Sequence, residues 1–318
     1  MNLPPDPRRR RLLLLAPAAA AAGCAALAAP QTSALLAQPD GLPLRSERRE
    51  VPFFPQTPYH CGPAALATVL SHAGMPADPD MLAAQLFLPS RKGTLQAEML
   101  AGARRSGALA VRLPATLPAS LHEAVDGHPP VVLLNLGLGW LPRWHYAVLI
   151  GHDLEASELL LRSGTTERAS FSMATFEHTW SRAGSWAFVV TPPGELPRSA
   201  TEADAQQAAL GFERVAAPQQ AARVWQSLVD RWPANLVACM GLGNARHAAG
   251  DLRGAATAYE QAARRHDSAA AWNNLAQALH ELGDAARARQ AAEHAVDRAR
   301  TAEPALLGTA LQTQAELR

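Results

Sequence analysis

Toward its C-terminal end the chain repeats itself. Ala248-Ala249-Gly250-Asp251 returns as Glu281-Leu282-Gly283-Asp284, a shift of 33 residues. In the same register Leu242 matches Leu275, Ala245 matches Ala278, Ala255 matches Ala288 and Ala262 matches Ala295. A period of this length marks stacked helix pairs, with small residues where paired helices touch and Gly-Asp at the turn between them. One pair leaves an apolar face that only a neighbour covers, so about three pairs are the practical minimum. An earlier copy ending at Arg231-Trp232-Pro233, with Ala221 and Trp225 in matching places, and a capping helix over residues 304–317 complete the stack. Residues 201–318 carry no strand signal, which predicts an all-α domain.

Residues 51–193 have a different texture. Val131 to Leu136 and Trp144 to Ile150 are continuous apolar runs, and Leu159 to Leu161 and Ala187 to Val190 are shorter ones. Pro, Gly and Ser punctuate them, as strands require. Helical patterns over Gly62 to Ala73, Pro79 to Phe87 and Leu95 to Ser106 come first. Helices followed by strands predict an α+β domain, with its boundary at Pro192 to Ser199. Lys and Arg number 29 against 28 Asp and Glu, so no broad positive field exists for nucleic acid. Three cysteines make no disulfide framework. No Gly-rich phosphate loop and no zinc spacing are present, so neither a cofactor nor a metal is expected.

Residues 1–29 read as an address rather than as structure. Arg8 to Arg11 form a basic start, and Leu12 to Ala22 is an apolar run of eleven residues, too short to span a bilayer. It ends in Ala21-Ala22-Gly23-Cys24, a layout resembling a lipobox, in which the cysteine is acylated and becomes the new N-terminus. Ordinary cleavage after Ala28 is the alternative. Ala25, rather than Asp, follows Cys24; by resemblance to Gram-negative lipoproteins, this implies an exported, periplasmic protein anchored to the outer membrane. Residues 30–50 read as a flexible tether.

The chemistry gathers around Cys61. Pro52, Pro55 and Pro58 hold the approach extended. Gly62-Pro63 then opens a helix, which places Cys61 at a helix N-terminus, where the dipole favours thiolate. Gln56 is positioned to donate to an oxyanion beside the sulfur, together with the Cys61 backbone N–H. The base is His145, a lone polar residue entering an apolar strand; an imidazole there would pair with the thiolate and keep the sulfur ready. Cys239 reads as packing. His60, His152 and His178 read as surface or turn residues, and His247, His266, His280 and His294 as solvated. Trp140, Trp144, Trp180 and Trp186 read as core or groove walls.

Gln56, Cys61, the small-residue helix running to Gly74 and the strand His145-Tyr146-Ala147-Val148 resemble the papain-like cysteine peptidases of the bacteriocin-processing, double-glycine leader peptidase type. The resemblance covers about residues 51–190. It implies a Cys helix packed on an antiparallel sheet, with Cys61 as nucleophile, His145 as base and Gln56 as oxyanion donor. The family's usual Asp on the strand after the His strand is replaced here by Ser163, in Leu159-Leu160-Leu161-Arg162-Ser163-Gly164. That leaves Ser163, favoured by register, Asp153 from the adjoining turn, or a simple dyad. The C-terminal half resembles the tetratricopeptide repeat. The combination of lipoprotein signal, peptidase domain and helical repeats resembles a group of exported bacterial proteins. The expected function is peptide-bond hydrolysis in the cell envelope, the repeats binding substrate or a protein partner. An inactive peptide-binding adaptor and a thioester-based acyltransferase are the alternatives.

Overall fold

The computed structural model describes residues 29–56 and 59–317; the signal segment and Cys24 lie outside them. The first half is built on an antiparallel sheet. Its strands are β1 (Arg45–Glu47), β2 (Leu109–Arg112), β3 (Val131–Asn135), β4 (Trp144–Asp153), β5 (Glu158–Ser163), β6 (Thr166–Ser172) and β7 (Ala187–Thr191). The order is β2-β7-β3-β4-β5-β6. Strand β4 is long enough to pair with β3 over its first half and with β1 over its last three residues, so its edge is covered from both ends.

Residues of alternating parity separate the two sheet faces. Leu133, Tyr146, Val148 and Ile150 pack under the helix α2 (Cys61–His72), with α3 (Pro79–Leu86) and α4 (Gln96–Arg105) beside it. Helix α2 is buried along its length from Gly62 to Leu70, which is why its sequence shows small and apolar residues all round rather than one stripe. Gly62 is required by a close approach, since a Cβ there would lie 2.8 Å from Thr94 Cβ and 3.1 Å from Met99 Sδ. Val132, Leu134, Ala147 and Leu149 face the other way, onto α5 (Leu117–Asp126) and α6 (Met173–Ser181). Neither of these helices was expected from the sequence.

Residues 30–50 correct the expectation of a tether. Pro30–Ala37 forms helix α1, and Arg45–Glu47 pairs with β4. Few apolar residues mark the segment, but Leu35 and Leu42 reach the core. Buried Glu177 of α6 accepts from the Gln31 and Thr32 N–H groups at 3.0 and 2.6 Å, a carboxylate at a helix N-terminus that satisfies two otherwise orphaned donors.

The second half runs α7 (Glu202–Glu213), α8 (Pro218–Arg231), α9 (Leu236–Ala248), α10 (Leu252–His266), α11 (Ala269–Glu281), α12 (Ala285–Thr301) and α13 (Leu307–Glu316). These are helix pairs in the expected register, with α13 as a single closing helix. The Gly-Asp turns work as the repeat implies. Gly250 and Gly283 take φ of +81° and +80°. Asp251 and Asp284 then cap the next helix, accepting from the N–H groups of Gly254 at 2.9 Å and Arg287 at 3.2 Å. The chain turns at Pro192 to Ser199, but packing does not stop there. Leu109 and Val111 of β2 share one buried cluster with Ala205, Ala208, Phe212 and Trp225, so the stack is fused to the sheet rather than strung from it.

Candidate active site

The first turn of α2 sets Cys61 at its head, half-buried and free. Just upstream Tyr59 takes φ +70°, a left-handed conformation unusual for an aromatic residue. Such strain persists only where the surroundings impose it, and it recurs at functional sites. The Cys61 sulfur lies against backbone N–H groups of Tyr146, Gly62 and Cys61 itself. Tyr146 is the residue after His145, so the sulfur meets β4 at the histidine's own position along the strand.

His145 is held from the other side. Its Nε2 lies 2.8 Å from Ser163 Oγ, leaving Nδ1 as the ring's second polar atom. Gly164, next to Ser163, accepts the Gln56 backbone N–H at 3.1 Å. Two hydrogen bonds thus draw Gln56, His145 and Ser163 around the end of β5, although they come from segments far apart in sequence. Asp153 is not part of this group. It lies at the opposite end of β4, eight residues or about 26 Å along an extended strand, and pairs with Arg45 at 2.8 Å.

Burial dominates the electrostatics. It pushes the Cys61 thiol above its ordinary range, outweighing the three backbone donors. It pushes the His145 imidazole below its ordinary range, with no carboxylate to counter it. Both effects disfavour the charged forms, opposite in direction to the thiolate expected from the helix dipole.

Two supporting residues escaped the sequence reading. Arg162 is only 6% exposed. Its guanidinium donates to the carbonyls of Val51 at 2.6 Å, Arg49 at 3.0 Å and Glu167 at 2.7 Å. It therefore staples the approach to Gln56 onto β5, one residue from Ser163. An arginine inside an apolar run was the available signal. The Tyr146 hydroxyl donates to the Thr94 carbonyl at 3.2 Å, pinning the segment that covers Gly62; burial raises its phenol well above the usual range.

Other expectations need correction. His152 is buried, not at the surface, with Nε2 2.8 Å from the Pro43 carbonyl; burial lowers its pKa. Trp180 and Trp186 are core residues, but Trp140 is 80% exposed and Trp144 56%, because the β3–β4 hairpin outruns the sheet. His247 is solvated as expected, and it pairs with Glu281 of the next repeat at 2.9 Å.

Residues 269–301 match the tetratricopeptide repeat model, the span of α11 and α12. No curated protein matches the chain. Among solved structures, similarity extends to a C39-like peptidase from Bacillus anthracis (18% identity, 46% of this chain and 97% of that one, TM-score 0.41). It extends also to the peptidase domain of Streptococcus ComA, a bi-functional ABC transporter (21% identity, 45% and 98%, TM-score 0.37). The type III secretion translocator chaperone SycD of Yersinia enterocolitica is similar too (19% identity, 36% and 78%, TM-score 0.33). The fold itself, a Cys-headed helix on an antiparallel sheet followed by tetratricopeptide-type helix pairs, is the one the sequence predicts.

Proposed function

We propose that this chain is a cysteine peptidase of the cell envelope whose repeats bind a protein segment, either substrate or partner. The observation that carries the reading is the convergence at the end of β5: His145 on Ser163, with the Cys61 sulfur beneath the adjoining Tyr146 amide. Cys61 Sγ attacks the scissile carbonyl carbon and gives its proton to His145. The developing oxyanion accepts from the Gln56 side-chain amide and the Cys61 backbone N–H. As the C–N bond breaks, His145 returns the proton to the leaving amine. Water then attacks the thioester, passing a proton to His145, and the freed carboxylic acid leaves as the thiol reforms. Ser163 orients the imidazole but supplies no negative charge. An acyl chain on Cys24 would hold the protein at the membrane.

The test is cleavage of a peptide library beside labelling with a thiol-directed electrophile. Products formed by wild type and absent with Cys61→Ala and His145→Ala support hydrolysis. Equal labelling of wild type and Cys61→Ala, with no cleavage, overturns it in favour of a peptide-binding adaptor. Amide products formed with added amines would point to acyl transfer.

A further inference from the structure

Beyond Asn135 and Trp144 the hairpin joining β3 to β4 leaves the sheet and continues as a two-stranded ribbon. The Leu136 N–H donates to the Arg143 carbonyl at 2.9 Å, and Leu138 and Leu141 exchange N–H···O bonds at 3.1 and 3.2 Å. Gly139 and Trp140 form the tip. The base is built rather than loose. Buried Asn135 accepts the N–H groups of Gly137 and Arg143 on one side-chain oxygen, each at 2.9 Å. Arg182 donates to its carbonyl at 3.0 Å.

Every large apolar side chain on this ribbon faces solvent: Leu136, Leu138, Trp140, Leu141 and Trp144. Residues 136–142 contain no charge, and the first cation is Arg143 at the base. Leu136, Leu138 and Leu141 lie along the arms, Trp140 crowns the turn and Trp144 stands at the base. An uncharged arm with exposed leucines and a tryptophan at its tip suits immersion in lipid, with Trp144 and Arg143 at the level of the headgroups. Its unpaired outer edges forbid deeper burial.

The position of the N-terminus agrees. Glu177 of α6 holds Gln31 and Thr32, and Arg182, five residues on, holds the ribbon base. Five helical residues are about 8 Å. Cys24 lies five residues before Ala29, a reach of at most about 18 Å. An acyl anchor there would present this end of the molecule to a bilayer.

We propose that the Leu136–Arg143 ribbon inserts into a lipid bilayer at the headgroup–acyl boundary, beside the catalytic cleft, so that the enzyme works on segments lying near the membrane. The anchor part of this argument rests on the envelope reading above; the ribbon's composition does not. The test uses the full chain mixed with phosphatidylcholine–phosphatidylglycerol vesicles whose acyl chains carry bromine, and reads quenching of tryptophan fluorescence. Quenching that falls several-fold in Trp140→Phe and Leu138→Glu, with solution peptide cleavage within about twofold of wild type, supports insertion. Equal quenching with Cys24→Ser also supports insertion, and shows the anchor to be dispensable. Wild-type quenching that Trp140→Phe and Leu138→Glu leave unchanged overturns it. So does an unquenched wild type in which Leu138→Glu raises the KM for peptides, which would make the ribbon a wall for apolar substrate. Retained quenching by a chain without peptidase activity would sink the catalytic reading and leave this one standing.

Discussion

The sheet layer and the helical stack bury their interiors by different means. The stack packs on alanine, with Ala255, Ala258, Ala262, Ala276, Ala278, Ala288 and Ala292 all buried, so each helix pair is held by its near neighbours in sequence. The sheet packs on Leu, Val and aromatic rings, and it closes through polar clamps between distant segments, as where Arg162 reaches back 111 residues to Val51. Local packing repeats and tolerates growth by addition of units. Non-local clamps place individual atoms, which is what a nucleophile and a base need. The two halves nevertheless share one buried cluster at α7 and α8, so the repeats brace the sheet while the sheet caps their first pair.

Substitutions can break or sharpen this contrast. The largest effect is expected at Cys61, where Cys61→Ala should lower peptide cleavage by at least roughly 10³-fold while far-ultraviolet circular dichroism stays unchanged. Next comes Arg162→Ala, which strands buried carbonyls and should destabilise the chain by about 2–4 kcal/mol in urea titration. Because the core is shared, the stack should lose amide-exchange protection along with the sheet; protection retained from α9 onward would show the halves to be independent. In the stack, Ala276→Leu overfills a helix contact and should cost about 1–3 kcal/mol, again by urea titration. Ser163→Ala should slow turnover by about 3- to 10-fold, the worth of one hydrogen bond. Ser163→Asp should instead raise the His145 pKa and move the midpoint of Cys61 alkylation to lower pH.

The smallest effect concerns the junction. His128 touches Glu123 at 3.1 Å and Glu195 at 2.8 Å, and Glu123 also accepts the Ser199 N–H at 2.5 Å. The hydrogen bond that His128 donates to Glu123, then that to Glu195, raises its pKa above the ordinary value of 6.5 despite burial. A raised folded pKa contributes stability that is complete below 6.5 and fades as pH rises through the folded value. Melting scans should therefore show a small decline over that window, absent in His128→Asn.

Legibility in the sequence follows the same divide. The repeat could be read because its contacts are periodic, and its turns carry their own chemistry in Gly250-Asp251 and Gly283-Asp284. The helix headed by Cys61 could be read because Gly62-Pro63 is a local signal. By contrast, α1 and β1 were missed, since few apolar residues mark their burial, Glu177 docks α1 from 145 residues away and β1 pairs with the distant β4. Register brought Ser163 to His145, while nothing local tells an exposed Trp140 from a buried Trp180. The raised Cys61 pKa was also hidden, because a helix start favours thiolate in isolation and only the packed surroundings reverse that direction.

That reversal has a consequence for endurance. Oxidants and stray disulfides consume cysteines through the anionic sulfur. Burial that raises the Cys61 pKa lowers the anionic fraction and slows those reactions.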